Sequence, residues 1–214
     1  MSFDVICFDC DSTLSKIEGI DELARRVGMG VEIAKLTDAA MNGEFPLEAV
    51  YERRLALINP NKASIDWVAE LYISEIVAGV KEVFSSLLAQ GKNVHIISGG
   101  LRPAILPLAA YLGLPENNIH AVDVYFDETG AYAGFDHTSP LARTGGKAEV
   151  VASLKTALPL VMIGDGKTDL EAKEAGAYVI GFGGVVDRAI VRENADFYST
   201  DSSLLFVLEH ILKD

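Results

Sequence analysis

Cysteine is almost missing from this chain: among 214 residues only Cys7 and Cys10 carry a thiol. Two thiols cannot build a disulfide framework, and a chain of this length can bury a core that needs none. No apolar run approaches the roughly 20 residues that span a bilayer. The opening stretch, residues 1–9, lacks a basic segment followed by a long apolar one, so a cytoplasmic protein without a membrane partner is expected. Positive charge is the minority, with 18 lysines and arginines against 31 aspartates and glutamates and a formal net charge of -13. The summed field repels nucleic acid and anionic lipid, which removes both as expected partners. It also repels any phosphorylated ligand, unless a cation or a local basic cluster inverts it. Low complexity and internal repeats are lacking too, and 50% hydrophobic with 23% charged residues is the balance of a globular protein. Cys7 and Cys10 stand at C-x-x-C spacing, but no second pair or spaced histidine completes a metal set. They read as small fillers of a buried strand.

What is present is an alternation. Short β-branched runs at Phe3 to Phe8, Val94 to Ile97, Ile119 to Val122, Leu160 to Ile163 and Tyr178 to Ile180 lie between helical patterns, which predicts a parallel α/β sheet. Polar or glycine-rich residues follow three of them, at Asp9 to Thr13, Ser98 to Gly100 and Gly164 to Asp169. Ligands bind such sheets outside the carboxyl ends of the strands, so these loops should meet at one edge. The long interval between the first two strands exceeds what one crossover helix needs. Its pattern is helical: Ile20, Leu23, Ala24 and Val27 share a stripe that ends at Gly28, and Pro46 opens another with Leu47, Val50 and Tyr51. A small helical cap inserted after the first strand is expected. Asp123 to Phe135 alternates around Glu128-Thr129-Gly130 and reads as a hairpin.

Three clusters and one lysine carry the chemistry. Asp9-Cys10-Asp11-Ser12-Thr13 puts two carboxylates on one side of an extended chain, about 7 Å apart. That is costly unless a cation sits between them or one is protonated; the bland alternative makes Asp11 and Ser12 a turn or a cap. Gly164-Asp165-Gly166-Lys167-Thr168-Asp169 exposes backbone amides and hard oxygen ligands that suit Mg²⁺, while Thr168 with Glu171 fits a capping box and Gly176 a helix stop. Ser98-Gly99-Gly100 lets backbone N–H groups approach an anion. Lys147 follows Gly145-Gly146 in the first turn of a helix, where a cation opposes the dipole; it is either an anion ligand or a solvated surface lysine. Arg54 enters the apolar stripe of Val50 and Tyr51, as a ligand group or as a side chain snorkelling to water.

In this order the clusters DxDST, SGG, GGK and GDGxTDxEA, continuing through Ile180-Gly181-Phe182-Gly183-Gly184, resemble the haloacid dehalogenase (HAD) superfamily, and within it the phosphoserine phosphatase family. The segments 18–24 and 54–58 are similar too, so the resemblance covers nearly the whole chain. It implies a HAD-like Rossmannoid core of residues 1–14 and 77–214 with a helical cap of residues 15–76. It further implies hydrolysis of O-phospho-L-serine, the last step of serine biosynthesis, through a phospho-aspartate on Asp9, with Asp11 as general acid and base. Mg²⁺ would be held by Asp9, Asp165 and the Asp11 carbonyl, with Asp169 behind them. Ser98, Gly99, Gly100 and Lys147 would take the phosphoryl group, with Thr168 and Arg188 also reaching substrate. Arg188 could instead pair with Asp187. Arg54 would bind the substrate carboxylate, Glu18 its ammonium and Met41 an apolar wall, although Ser15 and Glu18 also fit a capping box. Relatives often have Phe where Leu47 stands, so a phosphotransferase or phosphatase acting on homoserine or another small phosphorylated acid is the alternative. A phospho-accepting signalling receiver has a similar residue set, but is shorter and carries its aspartate on a later strand. A monomer or homodimer is expected.

Overall fold

The computed structural model describes residues 3–154 and 159–212. Its main sheet has six parallel strands: β1 (Val5–Phe8), β2 (Asn93–Leu101), β3 (Ile119–Val122), β6 (Leu160–Gly164), β7 (Tyr178–Phe182) and β8 (Phe197–Ser199). Their spatial order is β3-β2-β1-β6-β7-β8. The chain runs outward from β1 in one direction through β2 and β3, then restarts beside β1 at β6, so the strand order reverses at the β1/β6 junction. That is the switch point at which α/β sheets open a crevice. All five runs expected from the sequence form strands, and the short edge strand β8 adds a sixth. β4 (Val124–Phe126) and β5 (Tyr132–Phe135) form the expected antiparallel hairpin. Asp127 shapes its tip by accepting hydrogen bonds from the N–H groups of Thr129 and Ala131.

Between β1 and β2 lie α1 (Gly19–Arg26), α2 (Gly30–Met41), α3 (Leu47–Ile58), α4 (Lys62–Ser74) and α5 (Val80–Ala89). α5 is the crossover helix and packs Phe84 on Phe8 of β1, ring centroids 4.9 Å apart. The first four are additional. Ser15 and Ile76 form an antiparallel bridge where the chain leaves for these helices and returns. α1 carries Asp21 and Glu22 in its first turn and Arg25 and Arg26 in its last, the arrangement that complements the helix dipole. Gly28 after it adopts φ +82. Val27, expected on the buried stripe, is 50% exposed, because the helix has already ended. α4 is capped by Asn61, whose side chain accepts from Ser64 N–H at 2.8 Å. The insert also touches the hairpin, through Lys62 N–H on Gly130 O at 2.9 Å and a 5.2 Å ring contact of Tyr51 with Phe135.

The remaining helices are α6 (Arg102–Tyr111), α7 (Gly146–Ser153), the single turn α8 (Lys167–Leu170), α9 (Ala189–Asn194) and α10 (Phe206–Ile211). The approach to α7 is tight: a Cβ on Gly146 would stand 1.9 Å from the Pro140 carbonyl oxygen. Backbone meets backbone here, so no rotamer change relieves the clash. Gly146→Ala is therefore expected to cost about 1–3 kcal/mol of stability, read as a lower midpoint in urea unfolding.

Candidate active site

The carboxyl ends of β1, β2 and β6 supply the floor of one small cavity, and the helical insert supplies its roof. Asp9 leaves β1 with its N–H still bonded to Ile163 O of β6 at 2.9 Å. Ser12 takes φ 51, the left-handed region, uncommon for a residue other than glycine. The chain there wraps into a turn in which the N–H groups of Leu14 and Ser15 both reach Cys10 O. Cys7 and Cys10 are free and buried, and burial pushes the Cys7 thiol up, as fits inert fillers.

Among the described residues, Asp9, Asp165 and Asp169 are the one set of three ligating side chains that bring one oxygen each to within 4.8 Å of one another, and all three are buried. Burial raises the Asp165 pKa to about 8, aided by repulsion from Asp9 and Asp169. Burial likewise raises Asp169 to about 7. A cluster held at this cost wants a cation. Lys147 provides one, with Nζ 2.5 Å from Asp169 and 3.0 Å from Asp9. Burial disfavours its ammonium, but Asp169 and Asp9 outweigh that and raise its pKa. At 4% exposure Lys147 is not a surface lysine. Arg188 provides a second cation from behind, Nε 3.2 Å from Asp165. The hard, closely spaced oxygens that remain suit a divalent metal ion.

Asp11 points away from this cluster. Its Oδ1 accepts from Gly19 N–H at 2.7 Å and from the Tyr72 hydroxyl at 2.7 Å. Burial and the charge of Asp9 raise its pKa to about 6. The side chain thus contributes no oxygen to the carboxylate cluster. The cap-like role weighed for Asp11 is realised at Gly19, the first residue of α1, while it also lines the cavity.

From the insert, Glu18, Met41, Leu47 and Arg54 line the cavity, and from the core Ser98, Gly99, Lys147 and Thr168 do so beside the aspartates. Arg54 is 3% exposed, so it does not snorkel. One of its nitrogens donates to Thr37 Oγ1 at 2.9 Å, Thr37 in turn donates to Asp21 at 2.5 Å, and Nε has no partner. Glu18 accepts from Ser12 Oγ at 2.8 Å, and burial, with repulsion from Asp11 and Asp165, lifts its pKa well above the usual carboxylate value.

Several expected details differ. Ser98-Gly99-Gly100 is not a loop, because β2 continues through it to Leu101 with an irregular register against β3. Gly100 is not among the residues that line the cavity; its N–H donates to Ser98 Oγ at 3.0 Å, while Tyr51 donates to Gly99 O at 2.8 Å. The capping box drawn for Thr168 with Glu171 is made by Asp169 instead, which accepts from Gly166 N–H at 2.9 Å; Glu171 accepts from Gly145 N–H. The Ser15/Glu18 box does not form, as Ser15 Oγ donates to Glu75 O. Arg188 ignores Asp187, which is held by Arg192 and Tyr198, and bonds Asp165 and Asp38. Asp169 and Arg188 support the carboxylates and do not line the cavity. Tyr72, Thr37 and Asp21 were not singled out in the sequence. Thr37 could have been found as a hydroxyl on the Ile33/Ala40 stripe of α2; Tyr72 gave no signal beyond a large side chain on a buried stripe.

A strand-end aspartate beside a buried lysine at the switch point of a parallel sheet defines a class of enzyme. The chain belongs to the haloacid dehalogenase-like hydrolase family, whose model matches residues 6–174. It is 40% identical over 203 residues to the phosphoserine phosphatase of Bos taurus, covering 94% of this chain and 90% of that one. With the chloroplastic phosphoserine phosphatase of Arabidopsis thaliana it shares 37% identity over 216 residues, 99% of this chain and 71% of that one. Within the hydrolase family it therefore stands among the phosphoserine phosphatases. In fold it matches a phosphoserine phosphohydrolase-like protein of Francisella tularensis with a TM-score of 0.88, at 26% identity over 99% of this chain and all of that one. No helix among the described residues is long and apolar enough to cross a membrane.

Proposed function

We propose that the protein hydrolyses O-phospho-L-serine to L-serine and phosphate through a phospho-aspartate on Asp9. The observation that carries the substrate assignment is Arg54: a buried guanidinium with an unpartnered Nε, on a residue that lines the same cavity as Asp9 and Asp165. A buried donor left open costs about 1–3 kcal/mol, and a ligand carboxylate accepts from it bidentately. Glu18, which lines the same cavity, offers a carboxylate to an ammonium, whose arrival would favour its charged form. A small amino acid phosphorylated on its side chain satisfies both ends at once.

In this reading Asp9 attacks phosphorus as the serine oxygen departs with a proton from Asp11, and Asp11 then takes a proton from the water that attacks the acyl phosphate. Splitting one displacement into two is the use of a carboxylate nucleophile. Lys147, Ser98 and the Gly99 region stabilise charge on the transferring oxygens, with Thr168 at the rim and Gly100 holding Ser98 in place. Mg²⁺ on Asp9, Asp165 and the Asp11 carbonyl, supported by Asp169, would offset repulsion between the nucleophile and the phosphoryl group. Arg188 orients Asp165. We assign residues 15–76 to the cap and 1–14 with 77–214 to the core, and expect a cytoplasmic monomer or homodimer acting in serine biosynthesis.

A screen of phosphorylated amino acids, sugars and glycerates for phosphate release tests the reading, with serine and homoserine added as competing acceptors. Phosphate appearing from phosphoserine in preference to the others supports it; phosphoryl transfer to homoserine outrunning water favours the transferase. Arg54→Ala is expected to lower kcat/KM for phosphoserine by about 100-fold while a phosphomonoester without a carboxylate loses much less, since a charged hydrogen-bonded contact contributes about 1.5–3 kcal/mol. Equal losses on both would remove Arg54 from substrate recognition.

A further inference from the structure

We infer that Tyr72, on the α4 helix of the insert, is a positioning residue that fixes which oxygen of Asp11 delivers the proton. The inference rests on the general acid role proposed for Asp11 and goes beyond it. Asp11 Oδ1 already accepts two hydrogen bonds, from the backbone of Gly19 and from the Tyr72 hydroxyl, each 2.7 Å long. Two donors on one oxygen leave it poorly placed to carry a proton of its own. Among the described residues nothing bonds Oδ2, which packs against Gly100 near the end of β2: a Cβ on that glycine would lie 2.9 Å from it. Asp11 lines the cavity beside Asp9, and with Oδ1 held by two donors Oδ2 is the oxygen left for the leaving group.

A second feature serves the same contact. Gly19 is the first residue of α1, and a Cβ there would stand 2.2 Å from the Tyr72 hydroxyl and 2.9 Å from its ring carbon Cζ. The hydroxyl reaches Asp11 only because position 19 has no side chain. Gly19 thus supplies one donor through its N–H and makes room for the other. Tyr72 is buried and belongs to the insert, whereas Asp11 belongs to the loop after β1, so the proton donor is oriented across the contact between the two.

In the first half-reaction an Asp9 oxygen bonds to phosphorus, the bond from phosphorus to the leaving oxygen breaks, and the proton on Asp11 Oδ2 goes to that oxygen. An alkoxide leaving group such as that of serine needs the proton; a nitrophenolate does not. Tyr72 then matters for one kind of ester and little for the other, a distinction that general loosening of the cavity would not produce.

The test is rapid-quench measurement of the first turnover of the metal-loaded enzyme on phosphoserine and on p-nitrophenyl phosphate. For Tyr72→Phe the release of serine is expected to slow by about 10-fold or more, within the range general acid catalysis contributes, and nitrophenol release by no more than about 2-fold. Gly19→Ala, which displaces the Tyr72 ring without removing its hydroxyl, should show the same selectivity, and it carries the test if Tyr72→Phe fails to fold. Equal slowing of both esters, or no slowing of either, overturns the inference. If wild-type enzyme releases no serine, the proposed substrate is wrong, and the comparison is repeated with an alkyl phosphate that the enzyme does hydrolyse.

Discussion

Asp9→Asn is expected to abolish phosphate release, by a factor of about 10⁴ or more, with no loss of fold. The substitution keeps shape and one acceptor oxygen, so the bonds Asp9 makes to Cys10 N–H and Lys147 can persist. What disappears is the negative charge that attacks phosphorus. An amide oxygen is a poor nucleophile, and no neighbour can replace it: Asp165 is tied to Arg188, Asp169 to Lys147, and Asp11 to Gly19 and Tyr72. The variant should melt no lower than the parent, because one of three buried carboxylates that repel each other has been neutralised. Acid-quenched wild-type protein should carry a phosphoryl group on Asp9 by mass spectrometry, and the variant none. Residual turnover near wild-type level, or a beryllium fluoride adduct on another side chain, would falsify the assignment.

Removing divalent metal should be nearly as severe. Chelation is expected to take activity below about 1% of the loaded enzyme, with Mg²⁺ restoring it. A second readout needs no turnover. Metal at about 100 times its dissociation constant stabilises the fold by about 2.7 kcal/mol, which for a chain of this size raises the melting temperature by about 5–10 °C. The physical source is the strain already present: burial and mutual repulsion raise the pKa of Asp165 to about 8 and that of Asp169 to about 7, and a bound cation relieves that repulsion. Asp165→Asn should lose the melting shift while leaving the metal-free protein at least as stable. An unchanged melting temperature on adding Mg²⁺ or Mn²⁺ to wild type would count against a resident metal at these carboxylates.

Much of this site was legible because each element announces its own burial. Asp9 and Asp11 stood out as two charges at the end of an apolar run, Asp165 as an acid between glycines, and Arg54 as a cation on the stripe of Val50 and Tyr51. The failures share one cause. For Lys147 a surface alternative stayed open, since its partners Asp9 and Asp169 lie far from it in the chain. Thr168 and Glu171 had the spacing of a capping box, yet the shorter reach of Asp169 back to Gly166 won. Ser98-Gly99-Gly100 has loop composition but continues β2, because Leu101 beyond it pairs with Val122 of β3 and Tyr51 bonds Gly99 O, contacts that no local pattern reveals. Arg188 passed over the adjacent Asp187 for Asp165, where a buried charge needed it more than an exposed one did.

Read alone, the chain determined its strands, most of its buried helix faces, the insertion after β1 and the chemical types gathered at the strand ends, since hydrophobic period and turn residues act within a few positions. Tertiary structure decided the pairings: Lys147 between two aspartates, Arg54 on Thr37 with Nε open, Tyr72 on Asp11. A buried polar atom must find a partner wherever packing provides one, and the distance along the chain to that partner has no period to read.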